Sequence, residues 1–144
     1  MRIGMTVRAG LALALAMITS ASFAQTSTSA ISNGLGQAWP NVADQSLSPQ
    51  YHVFVFVLNG IKYVQVNDAY GNVQGAVGTI AGTRFALPVG ASAQNVVANA
   101  TSVPSNATTV YQDADITMLA VPTSNGTMML EATCGSSVQC QGGH

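Results

Sequence analysis

His52 and His144 are the only histidines among 144 residues, and with two cysteines and five carboxylates they bound the chemistry open to this chain. Nucleophilic hydrolysis needs a base beside the nucleophile and an orienting group behind the base. Serines are plentiful, but no Gly-x-Ser-x-Gly motif occurs, and His144 ends a Gly142-Gly143 tail. His52 opens an apolar run, where a solvated or hydrogen-bonded histidine is the ordinary outcome. A hydrolase would have to be assembled around His52 by folding, so no catalytic residue is assigned.

Metal and cofactor chemistry finds equally little. Asp113 and Asp115, two residues apart, would share one face of a strand. Two carboxylates make a poor site for a hard cation, and the D-x-[DN]-x-[DN]-G loop is missing. A solvated strand end is the better reading of the pair. Met118, Met128 and Met129 read as core filler rather than as soft copper ligands. Cys134, Cys140 and His144 have zinc-binding types, but an even cysteine pair in an exported chain is most simply a disulfide. No glycine-rich loop follows a strand and opens a helix, so no nucleotide, and no cofactor of any kind, is expected. Three Asn-x-Thr sequons, at Asn99, Asn106 and Asn125, are what a chain rich in Asn and Thr yields by chance.

The elements that must position these residues are β-strands. In YHVFVFVLNGIKYVQVND (51–68), two apolar, β-branched and aromatic runs flank Asn59-Gly60, the strongest short hairpin signal. A two-residue turn there sets Leu58 against Ile61, Phe56 against Tyr63 and Phe54 against Gln65 on one face. The other face carries Val53, Val55 and Val57 against Lys62, Val64 and Val66. Both faces of the first strand are thus apolar, as for an inner strand. The second, with Lys62, Gln65 and Asn67, suits an edge or a solvated rim. A one-residue slip would exchange the faces, so the turn must hold the register.

Turn residues at 68–72 and Ala81-Gly82 delimit further strands at Val73–Ile80, weakened by Gly75 and Gly78, and at Thr83–Leu87. Glycine within a strand marks a bulge or the close approach of another backbone. Residues 91–98 combine a short helical opening with Val96-Val97, residues 99–109 read as a loop around Pro104, and 115–133 as a second hairpin. Trp39-Pro40 reads as a plug at the end of the sheet. The fold class is mostly β: one small antiparallel, sandwich-like domain of six to eight strands on a four-strand meander (51–87) plus a C-terminal hairpin (115–133). The alternative is an α+β fold with one short helix near 91–99 packed across the meander.

Residues 1–24 read as a secretory signal of bacterial type: Arg2 and Arg8, the apolar run Leu11–Ile18, and small residues up to a cut after Ala24. That run is too short to span a bilayer. Residues 25–38 read as a flexible Ser/Thr/Gly-rich leader, or as a segment that docks only at Ile31 and Leu35, 39–133 as the β domain, and 134–144 as a tail bridged between Cys134 and Cys140. With the signal removed, Lys62 and Arg84 are the only basic side chains. Two cations cannot neutralise a row of phosphates, so nucleic acid and anionic membrane surfaces are poor partners. Only 6% of the chain is charged, so its surface is weakly self-repelling and open to self-association.

These features favour an exported, non-catalytic binding or structural module, in the periplasm or outside the cell. The second reading is a self-assembling envelope or matrix subunit. Its motive is Val53–Leu58, an uncharged strand of high β-propensity that would template another chain from an edge. A small hydrolase using His52 is third.

Overall fold

A computed structural model describes residues 34–136. Eight strands run in chain order: β1 (Tyr51–Leu58), β2 (Ile61–Asp68), β3 (Val73–Ile80), β4 (Thr83–Leu87), β5 (Val96–Val97), β6 (Thr108–Gln112), β7 (Ile116–Pro122) and β8 (Met128–Cys134). They form two four-stranded sheets, ordered β1-β2-β3-β4 and β5-β8-β7-β6. The first is the antiparallel meander and the second is built on the C-terminal hairpin, with β5 added in parallel to β8.

The hairpin register follows from its turn. Asn59 and Gly60 both take positive φ, 51° and 79°, as a type I′ turn requires, and Leu58–Ile61, Phe56–Tyr63 and Phe54–Gln65 pair. Ala81 and Gly82 repeat this geometry between β3 and β4, at 48° and 79°. Valines alternate inward from the meander, so Val53, Val64, Val66 and Val77 meet Val110, Ile116, Met118, Ala120, Leu130 and Ala132 of the second sheet in one sealed layer. Gly75 lies where the sheets approach closely: a Cβ there would come within 2.8 Å of Val96 Cγ2 and 2.9 Å of Leu130 Cδ1.

Three expectations need correction. β1 is not an inner strand but an edge, and β2, read as the rim, is inside the sheet. Residues 91–98 form no helix across the meander; a three-residue 3-10 turn at Ala93–Asn95 leads straight into β5. The loop expected over 99–109 ends early, because Thr108 begins β6, a strand outside the expected meander and hairpin.

Gln65 and Asn67 explain the first correction. Both are fully buried, yet neither faces solvent or lacks a partner. Gln65 Nε2 donates to the Gln37 carbonyl (2.8 Å) and to Asn67 Oδ1 (2.9 Å), and Gln65 Oε1 accepts the Gly36 N–H. Asn67 Nδ2 donates to the carbonyls of Ala38 (2.7 Å) and Gly71 (3.2 Å). Residues 34–38 are thereby laid across the outer face of the first sheet, where Leu35 packs with Phe54, Phe56 and Ala76. The two amides belong on a central strand because the chain ahead of it supplies their partners.

Candidate functional site

The segment that crosses this face then turns alongside β1 and covers part of its edge. Val53 points both backbone groups away from β2. Its N–H donates to Asp44 Oδ1 (2.8 Å) and its carbonyl accepts the Gln45 N–H (2.8 Å), with Asp44 bridged antiparallel to Phe54. By strand alternation Val55 and Val57 present their N–H and C=O groups in the same direction. Among the described residues, nothing pairs with them on that side. They border a cleft of about 480 Å³, closed on the far side by Gly34, Gln37, Asn41 and Val42. Val57 is 66% exposed, an uncommon position for a valine in an ordered strand. This open half-edge is the principal site.

At the covered end, His52 Nδ1 lies 2.7 Å from Asp44 Oδ2, and the Trp39 ring meets the imidazole edge-on at a centroid distance of 4.9 Å. Burial pushes the Asp44 carboxyl up, but hydrogen bonds from Val53, His52 and Ser46 outweigh it and hold the group below the ordinary range. His52 and Asp44 thus reproduce the orienting half of a triad. Among the described residues no hydroxyl or thiol is hydrogen-bonded to the imidazole. The pair's visible work is structural: one carboxylate fixes the histidine, the Val53 amide and the Ser46 amide together.

Asp113 and Asp115 do not project from a strand. They occupy the turn between β6 and β7 and grip Lys62 of the first sheet, with Asp113 Oδ2 at 2.6 Å from Nζ and Asp115 on the same ammonium. Burial pushes Asp113 up, but Lys62, Tyr111 and the amides of Asp115 and Ile116 hold it below its ordinary value. Burial and the neighbouring Asp113 carboxylate push the Tyr111 phenol up to about 12. Lys62 loses some charge stability to burial, but the two aspartates more than restore it and raise its pKa. The pair that resembled a cation site is a clamp between sheets. Among the described residues, no cluster of three metal-ligating side chains occurs.

Trp39 is not a plug: it is 59% exposed and lies across the β2–β3 turn. Met118 is core, as its apolar alternation indicated. Cys134 ends β8, while Cys140, His144 and Ile31 lie outside the described residues. Sequence reasoning missed Asp44, whose role depends on a contact eight residues away, and it missed the partners of Gln65 and Asn67. The usable signal was present: two amides alternate with valines along an otherwise apolar strand, a pattern that demands polar partners when buried.

No protein-family model, no curated protein and no solved structure matches the chain.

Proposed function

We propose that this is an exported, non-catalytic β module that binds an extended chain segment by strand addition along β1. The observation that carries the reading is the half-edge at Val55 and Val57, unpaired among the described residues and bordering a cleft of about 480 Å³. Two N–H and two C=O groups there offer a partner four main-chain hydrogen bonds, and Val57 and Leu58 add apolar contact. Natural sheets usually blunt such an edge with charge, proline or a bulge. Residues 55–58 carry none of these.

The same edge supports the assembly reading only in a restricted form. A two-fold antiparallel β1–β1 pair centred on Phe56 would set Leu58 of one copy against Phe54 of the other. Asp44 already occupies that place. A separate extended segment is not bound to a two-fold register and can end before Phe54, so it is the better occupant. Export rests on residues 1–24, and the Cys134–Cys140 bridge suits the oxidising compartment that export implies.

Selection of a displayed random dodecapeptide library on the purified protein tests the proposal. Enrichment of alternating β-branched sequences is expected, with loss on Val57→Pro, which deletes one outward N–H at an edge position that tolerates proline. No enrichment, or peptides that bind Val57→Pro equally well, refutes it. Intact mass of protein recovered from the host's envelope or medium checks the address: the chain should begin at Gln25.

A further inference from the structure

We infer that the opposite end of the first sheet carries a second, independent binding site, an aromatic platform for the pyranose rings of a neutral polysaccharide. The starting point is the exposure of Trp39, the only tryptophan in the chain. One face of its indole lies on Gly71: a Cβ on that glycine would sit 2.5 to 2.7 Å from Cε2, Cζ2 and Nε1. The ring also meets His52 in a T-shaped contact at a centroid distance of 4.9 Å. With both contacts made, Trp39 is still 59% exposed, so a substantial part of a flat apolar ring is open to a ligand.

That presentation is built rather than incidental. The backbone leading to Trp39 is pinned by the two fully buried amides, Gln65 on Gln37 and Asn67 on Ala38, and Pro40, its own φ fixed, restricts Trp39 before it. Tyr70, 85% exposed, projects from the adjacent β2–β3 turn. The turn is locked in its own way. Asp68 Oδ1 accepts the N–H groups of Tyr70 and Asn72, both at 2.9 Å, and Oδ2 accepts the Asn72 amide at 2.9 Å. Two exposed aromatics on immobilised backbone give contact area at low entropic cost, the hallmark of a recognition surface.

The ligand class follows from what surrounds the rings. Asp44 and Asp68 put negative charge beside the platform. Among the described residues the cations lie elsewhere, Lys62 in the inter-sheet clamp and Arg84 against Ala98. Phosphate, sulfate and uronate are therefore disfavoured. A neutral pyranose has an axial C–H face that packs on an indole and a rim of hydroxyls able to meet Asp44, His52 and Asn72. An aromatic surface fringed by acceptors and donors matches such a ring better than it matches an all-apolar ligand.

Co-sedimentation of the purified protein with insoluble cellulose, chitin and xylan, together with Trp39 fluorescence titrated with the corresponding hexasaccharides, tests this. At least one neutral glycan should bind and shift the emission. Trp39→Ala should weaken sedimentation tenfold or more, Tyr70→Ala several-fold, and Trp39→Tyr should retain most of it. All three variants should keep the parent circular dichroism, and Val57→Pro should bind glycan normally, which separates this site from the β1 edge. Binding to none of the neutral glycans overturns the inference. So does preference for polygalacturonate or heparin, equal sedimentation of Trp39→Ala, or an emission shift produced only by a protein partner.

Discussion

Gln65→Leu is the most revealing single change, because it removes the attachment of the segment that shapes both faces of the site. The side chain makes three hydrogen bonds: from the Gly36 N–H, to the Gln37 carbonyl and to Asn67 Oδ1. At about 1 kcal/mol net for each bond, their loss costs about 3 kcal/mol. Leucine is of similar size and returns roughly 1 kcal/mol through added apolar burial, so a net destabilisation of about 2 kcal/mol is expected. The loss should also be local before it is global. Trp39, close along the chain from these anchors, reports the segment by fluorescence, while circular dichroism at the β minimum reports the sheets. In a urea titration the parent curves should coincide. In Gln65→Leu the fluorescence transition should move to lower urea than the dichroism. Coincident curves with a midpoint within about 0.5 kcal/mol of the parent would show that residues 34–38 are held by something other than the buried amides.

The two type I′ turns respond in opposite directions. Gly60→Val should destabilise by about 2 kcal/mol, all of it backbone strain at φ 79°, since a Cβ there meets open space. Ala81→Asn should raise stability by about 0.5 kcal/mol, because asparagine tolerates positive φ better than alanine; thermal melts measure both. Asp113, held below its ordinary 3.8, contributes stability that is present above that value and lost as acid titrates it. Tyr111, raised to about 12, contributes stability that is present below about pH 10 and lost as the pH rises through 12, and Lys62, raised above its ordinary 10.5, contributes stability that is present below 10.5 and lost as the pH climbs past it. Urea midpoints across pH should therefore fall at both extremes, and Lys62→Met should reduce the acid fall at a cost near neutrality of about 1 kcal/mol, modest because the partners keep contact with water. Reduction of the proposed Cys134–Cys140 bridge should lower stability by no more than about 2 kcal/mol, with the dichroism intact, since closing so short a loop removes little chain entropy.

Local signals carried most of the fold. Asn59-Gly60 and Ala81-Gly82 announce their turns through residue type alone, and the valine alternation beside them fixes which face is core. Strand order was harder, because apolar character on both faces of β1 follows equally from central placement or from cover supplied by another segment. Leu35, over Phe54 and Phe56, supplies that cover here. Polar residues misled for the complementary reason: Gln65 and Asn67 look solvated until residues 36–38 are placed over them. The Lys62 clamp joins residues more than fifty positions apart, and no local pattern encodes such a contact. The site was legible in parts, with the β-propensity of Val53–Leu58 evident and its position at an edge not.

Residue-resolved amide exchange on dilute protein, with and without a library-selected peptide, measures the central claim directly. Phe54 and Phe56, paired with Gln65 and Tyr63, should be protected in both states. Val55 and Val57 should exchange rapidly in the free protein and slow at least tenfold when the peptide is bound. A bound peptide that leaves Val55 and Val57 exchanging freely, with protection gained elsewhere, would contradict strand addition at β1.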